Sequence, residues 1–330
     1  MPLLSIILCT RDPSREQFSR VLTAVAALRL PAGWEREVVI VDNASSVPLV
    51  EVEWVRDLIA GLPGLRVITE PRPGHSNARQ AGTQATSGDL IVWFDDDNEP
   101  APSYLEAVVV VAQAQPAVLA FGAGRIIVEF TGPVTPWAAK HAPVLHQERI
   151  HDVDEFVLAD RFVPCTPFGS GLVTRRIVME HWIRERTAGR YTLGGRTGAR
   201  LDSGEDSEIL FEARRRGGLV GVSPHLILRH LIPPSRTTMR YLARLTFATS
   251  GAVRVARREA FGSEGLEPLP GLFAPIAGGR TVLAAIRREN LRAGLITGSA
   301  WLGALAGTFM AHQVPEPAWF RATTKLLRLR

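Results

Sequence analysis

Short apolar runs alternate with helix-spaced segments along the first third of the chain. Residues 4–8 and 38–41 are the first two runs. Between them Phe18, Val21, Leu22, Val25 and Leu28 recur every three or four positions, which predicts a helix. Ser14 stands at its N-cap position, with Gln17 where a capping box places its partner. A second helix is predicted near residues 52–61 and a strand over residues 65–69. This alternation predicts a parallel, wound sheet. Residues 90–94 are continuously apolar, as in a strand buried on both faces. They end in Asp95-Asp96-Asp97-Asn98-Glu99-Pro100, whose proline is expected to stop further sheet pairing.

The second half is less regular. Strands are predicted at residues 117–120 and 125–130, then loops and short helices over 131–167. Phe168-Gly169-Ser170-Gly171 is small and then turns apolar. Gly204-Glu205-Asp206-Ser207-Glu208 opens a helix closed by Gly217-Gly218. Residues 219–222 and 225–230 read as two strands around Pro224, and residues 238–258 as a helix basic on one side.

Composition narrows the classes. Of 330 residues, 46% are hydrophobic, which suffices for a substantial core. A formal charge of +5 favours an anionic partner: nucleic acid, nucleotide or membrane surface. No nucleic-acid motif or interleaved aromatic platform is found, so nucleic acid is not an expected partner. Cys9 and Cys165 have neither metal nor redox spacing, which fits a reducing compartment. The N-terminus runs straight into a strand without a signal-peptide pattern, so the expected location is cytoplasmic.

Residues 293–311 are uncharged and long enough to span a bilayer. Leu295, Leu302, Leu305 and Phe309 share one helical face, while Gly294, Gly298, Ser299, Gly303 and Gly307 form a small-residue surface. That suits close packing or shallow membrane contact better than lipid on all sides. Arg287, Arg288 and Arg292 precede it and more basic residues follow, which predicts peripheral contact with the inner membrane face.

Candidate chemistry centres on the three aspartates. Parallel sheets place ligands at the carboxyl ends of their strands. Adjacent carboxylates repel unless a cation or protons neutralise them. Hard divalent cations take oxygen ligands and bridge to phosphates, so a metal-diphosphate site is one reading and a solvated acidic turn the other. A Rossmann dehydrogenase needs a glycine-rich turn after its first strand. Here the turn is Cys9-Thr10-Arg11-Asp12-Pro13, and a Walker motif is missing too. In Gly74-His75-Ser76-Asn77-Ala78-Arg79, Ser76 is the expected N-cap of a helix running to Ser87-Gly88. Arg79 then lies in the first turn, where a cation opposes the helix dipole and is best explained by a facing anion.

Taken in order, these pieces resemble the family 2 glycosyltransferases of the GT-A fold. The order runs from Thr10-Arg11 through Asp42-Asn43-Ala44-Ser45, Gly74 to Gly82 and Asp95-Asp96-Asp97. It continues through Gly169-Ser170-Gly171 and Gly204-Glu205-Asp206 to His230. The resemblance covers residues 3–232; residues 233–330 match loosely, as the variable, often membrane-associated tail of such enzymes. It implies an α/β, Rossmann-like wound, mostly parallel sheet flanked by helices, with a C-terminal helical extension. Residues 1–125 would form the nucleotide-sugar-binding half, 126–232 the acceptor-binding half and 233–330 the extension.

The resemblance also implies roles. The enzyme would move a sugar, with inversion, from a nucleoside diphosphate sugar to a glycan or lipid-linked acceptor hydroxyl. Thr10, Arg11 and Asp42 would line the nucleoside pocket, Asp42 near the base. Arg79 would meet the nucleotide on its base or phosphate side. Asp95 would face the ribose or the metal, with Asp96 beside the donor. Asp97 and His230 would hold Mg²⁺ or Mn²⁺. Asp206 would be the general base, with Gly169, Ser170, Gly171 and Glu205 on the acceptor side. Three consecutive aspartates leave the metal ligand open between Asp96 and Asp97, and adjacent Glu205 and Asp206 leave the base open by one position. The rival readings are a sugar nucleotidyltransferase, which lacks its basic glycine-rich loop here, and a non-catalytic sugar- or lipid-binding module.

Overall fold

The structure is a computed structural model. It describes residues 1–60, 62, 64–195, 204–271 and 273–329. Gly61 and Arg330, which end two sequence-predicted segments, lie outside the described residues.

The first half alternates strand and helix as its pattern requires: β1 (Leu3–Thr10), α1 (Arg15–Ala26), β2 (Glu35–Asn43), α2 (Glu53–Ala60), β3 (Leu65–Glu70), α3 (His75–Gln84), β4 (Leu90–Asp95). There follow β5 (Asn98–Pro100), α4 (Tyr104–Ala114), β6 (Val118–Phe130), α5 (Pro136–Leu145), β7 (Arg149–Ile150) and β8 (Glu155–Val157). Next are β9 (Val173–Arg175), α6 (Arg176–Thr187), α7 (Glu205–Arg215) and β10 (Leu219–Ile232). The chain ends in α8 (Met239–Phe261), α9 (Ala274–Arg288), α10 (Leu291–Ala311) and α11 (Ala318–Leu326).

The strands form one sheet in the order β3-β2-β1-β4-β9-β6-β10-β5, with β7 on β6 and β8 on β10. β1 runs parallel to β2 and β4, and β6 parallel to β10, while β9 runs antiparallel to both β4 and β6. The two-residue period of β1 explains why its run is apolar on both faces apart from Ser5, whose hydroxyl donates to Glu37. Leu4, Ile6 and Leu8 enter one core with α1 and α4, whereas Ile7 and Cys9 enter the other with α3, α6 and α7.

Several local expectations change. Ser14 starts α1 without a side-chain cap bond, and Gln17 instead donates across the molecule to the Leu231 carbonyl, 3.0 Å away. Gly74, not Ser76, caps α3, at a φ of 126° that favours glycine. Ser76 Oγ donates to the Leu193 carbonyl, and α3 ends at Gln84. Pro100 does not stop pairing: it stands opposite Leu228 on an antiparallel strand, where no ladder N–H is required of it. The paired runs around Pro224 are one strand, β10, with an irregularity between Ser223 and Ile227 that absorbs the proline. β6 likewise joins two predicted runs into one.

The last long helix is long and apolar enough to cross a bilayer, but half of its most apolar window is buried. Gly303 and Gly307 receive α8, while Gly294 and Gly298 receive α9. A Cβ on Gly303 would lie 2.0 Å from the Phe247 carbonyl oxygen, and one on Gly307 2.2 Å from that of Gly251. The glycine surface thus brings two backbones together, and Leu302, Leu305 and Phe309 are buried as well.

Candidate active site

Strand ends and helix starts converge on one cavity of about 210 Å³. β1 delivers Thr10 and, just beyond its end, Arg11; β4 delivers Asp95 and the turn after it Asp96 and Asp97; α3 delivers His75 and Arg79. Gly169 and Ser170 come from the loop before β9, Glu205 and Asp206 from the start of α7, and His230 from β10. Two assigned residues are not in this lining. Asp42 accepts the backbone N–H groups of Ser45 and Leu49 at 3.1 and 2.9 Å, which shapes the loop after β2. Asn43 beside it lines the cavity and accepts from the Gly74 N–H, which sets the start of α3. Gly171, at a φ of 67°, offers its carbonyl to the Tyr104 hydroxyl behind the cavity.

The aspartates are held differently. Thr10 Oγ1 donates to Asp96 Oδ2 at 2.5 Å. Burial, then the charge of Asp97, pushes the Asp96 carboxyl up to about 7. Burial works against Asp97 too, but His230 and Arg236 outweigh it and keep the group ionised well below the usual carboxylate range. Arg236 Nη1 lies 2.5 Å from Asp97 Oδ2, and His230 Nε2 lies 3.5 Å from Oδ1. His230 Nδ1 donates to the His146 carbonyl at 2.8 Å, which turns Nε2 toward the aspartate.

These donors suit a divalent cation. An imidazole fixed through its other nitrogen, beside a carboxylate, is the arrangement that metal-ligating histidines adopt. Among the described residues no three His, Cys, Asp or Glu side chains already form a cage, so bound phosphate or water would complete the shell.

Arg79 is 1% exposed, and its guanidinium carbon lies 5.3 Å from the Trp93 ring centroid. Its Nε and Nη1 have no hydrogen-bond partner among the described residues. A buried cation with free donors on a cavity wall suits an anionic ligand. A Cβ added to Gly169 would approach Arg79 Nη2 to 3.0 Å and Asp206 Oδ2 to 3.3 Å, so a glycine keeps this wall open.

The start of α7 separates its two acids. Glu205 Oε1 lies 2.6 Å from His75 Nδ1, and Oε2 accepts the Gly204 N–H at 3.1 Å. Against the cost of burial, His75 and Arg79 hold Glu205 well below the usual range. Asp206 moves the other way: burial, then the charge of Glu205, raises its pKa. Sequence reading did not assign His75 or Arg236. His75 sat in plain view in Pro73-Gly74-His75, while Arg236 lies in a short turn whose path into the cavity no periodicity reveals.

A wound α/β sheet with acidic strand ends, cationic side chains and a carboxylate at a helix start defines the GT-A class of glycosyltransferase. Residues 5–181 match the model of glycosyl transferase family 2, and the chain belongs to that family. In fold it is similar to the mannosyltransferase PcManGT from Pyrobaculum calidifontis, solved with GDP-Man and Mn²⁺: 18% identity, TM-score 0.53, covering 99% of this chain and 84% of that one. It is also similar to GalNAc-T7, solved with UDP, GalNAc and Mn²⁺: 15% identity, TM-score 0.51, covering 100% of this chain and 58% of that one. The protein is a glycosyltransferase.

Proposed function

We propose that this enzyme transfers a sugar from a nucleoside diphosphate sugar to a hydroxyl of a glycan or lipid-linked saccharide, with inversion. One observation carries the reading: a single cavity joins a cation-rich acidic end, at Asp97, His230 and Arg236, to a carboxylate with raised proton affinity, Asp206. Arg79 and Arg236 offer cations to the diphosphate, whose charge grows as the sugar leaves. Asp97 and His230 would hold Mg²⁺ or Mn²⁺, which neutralises that charge when bound. Asp206 accepts the proton of the attacking hydroxyl. Inversion follows from one displacement in which base and leaving group lie on opposite faces of the sugar. The test is Asp206→Asn, assayed for release of nucleotide from UDP-, GDP- and dTDP-sugars with Mn²⁺. Donor binding should survive while turnover falls by about two to four orders of magnitude; unchanged turnover would overturn the base assignment.

A second part of the reading concerns location, on the cytoplasmic side of an anionic membrane. With the small residues of α10 packed on α8 and on the inner side of α9, the contact shifts to the outer side of α9. Phe273, Ile276 and Leu283 are 76%, 55% and 45% exposed and share an outward face with Arg280 and Arg287. Apolar side chains interleaved with arginines suit the headgroup boundary, where guanidinium groups snorkel to phosphate. The full chain should sediment with phosphatidylcholine vesicles only when phosphatidylglycerol is included, and high salt should release it. Equal binding to neutral vesicles, or none to either, would overturn this part.

A further inference from the structure

We infer that His75 is a positioning residue: it joins the end of β4 to the first turn of α7 and, by engaging Glu205, leaves Asp206 as the carboxylate free to take the acceptor's proton. The inference rests on the transfer reading above. His75 Nδ1 lies 2.6 Å from Glu205 Oε1, and Nε2 lies 3.1 Å from Asp95 Oδ1. Glu205 is held ionised and an ionised carboxylate only accepts hydrogen bonds, so Nδ1 donates to it, while Nε2 faces the Asp95 oxygen. The imidazole therefore bridges the donor end of the cavity and the base-bearing helix.

The surroundings fix that bridge. His75 opens α3, whose start is set by the Gly74 N–H on Asn43 Oδ1 at 2.8 Å. Next to it, Ser76 Oγ donates to the Leu193 carbonyl at 2.7 Å. Gly195 closes over the pair: a Cβ there would stand 2.8 Å from His75 Cβ and 3.1 Å from Glu205 Oε2. Glu205 is 4% exposed and both its oxygens are engaged. It cannot turn to a hydroxyl without breaking a charge-assisted bond. Asp206 uses Oδ1 on the Ser207 N–H, and its Oδ2 stands toward Gly169 on the cavity wall. Two adjacent acids thus receive different tasks from one imidazole.

The experiment compares the full chain with His75→Ala, Glu205→Gln and the double variant, using UDP-glucose, UDP-N-acetylglucosamine, GDP-mannose and dTDP-glucose with Mn²⁺. His75→Ala should lower kcat by about 100-fold, the usual cost of misplacing a reacting group by an ångström, with donor KM little changed. Added imidazole should restore part of kcat. The double variant should lose no more than the worse single one, because both break the same bridge. Losses that multiply, a loss confined to KM, or an unchanged kcat with a lowered Tm would overturn the inference. Should His75→Ala fail to fold, His75→Gln, which keeps one donor, reads the same split. A proton spectrum makes the geometry testable without turnover: a strongly deshielded imidazole proton should vanish in Glu205→Gln, and its absence from the wild type overturns the inference. If the wild type turns over none of these donors, the transfer reading fails, and that proton still decides whether His75 bridges the two acids.

Discussion

Two pairs of neighbouring acids face the cavity, and the fold treats them in parallel. At the end of β4, Asp97 receives Arg236 and His230, while Asp96 is left to a hydroxyl and has its pKa raised. At the start of α7, Glu205 receives His75, while Asp206 is left with a backbone N–H and has its pKa raised. In each pair cationic partners keep one acid ionised, and the charge of that acid raises the proton affinity of its neighbour. The difference lies in what faces the second acid. Asp96 has one oxygen taken by the Thr10 hydroxyl, whereas Asp206 Oδ2 stands across from Gly169, where a substrate can approach. Proximity of carboxylates is therefore not the signal for a base; the open neighbour of an acid kept ionised is.

The largest expected effect breaks that parallel directly. Asp206→Asn should cost about two to four orders of magnitude in turnover. Asp96→Asn keeps an acceptor for Thr10 and should cost far less. If the two substitutions were equally damaging, Asp96 would belong to the chemistry and the contrast would fail.

Next in size is the Arg236 substitution. Arg236→Met removes the cation that now holds Asp97 Oδ2. Mn²⁺ alone, followed by thermal shift, should bind about tenfold more tightly, the equivalent of one charge-assisted hydrogen bond. Donor binding should weaken, because the same guanidinium meets the diphosphate. Weaker Mn²⁺ binding in the variant would show that Arg236 supports the ion rather than standing in its place.

The two pairs also mark how far sequence reaches. β1, β2 and β4 were legible because their runs are buried on both faces and end in turns. The acids at both sites were legible because each follows a strand or opens a helix at a definite position. Their partners were not. His75 meets Glu205 across 130 positions, and Arg236 meets Asp97 across 139. Such contacts arise from the winding of the sheet, which leaves no local period. Asp42 marks a different limit: its carboxylate accepts two loop N–H groups and lies outside the cavity lining, which no local pattern reveals.

A smaller effect concerns acidity. Transfer requires ionised Asp206, so turnover should fall as pH drops through its raised pKa. Glu205 contributes to that rise, so Glu205→Gln should move the acid limb of the kcat profile to lower pH. A limb that stays in place would mean that Glu205's charge does not reach Asp206 and that burial raises its affinity without it.

A third pair, without a cation of its own, supplies the smallest effect and the control. Glu208 accepts from Trp182 Nε1 at 2.9 Å and from the Leu193 N–H at 2.8 Å. Burial, then the charge of Glu259, pushes it up to about 8, and Glu259 is raised as well. Here neither acid is depressed, unlike the two cavity pairs. An unfolded glutamate titrates near about 4.3. Between that value and about 8 the folded chain holds the extra proton, so stability should fall as pH rises through this window and level off above it. Glu208→Gln cannot ionise, so its Tm should fall less steeply over the same range. At low pH the variant should be slightly less stable, since an amide offers one acceptor oxygen to two donors. Parallel Tm profiles for both proteins would mean that Glu208 is ionised in the folded state, and that this pair too is compensated by a cation such as Arg186.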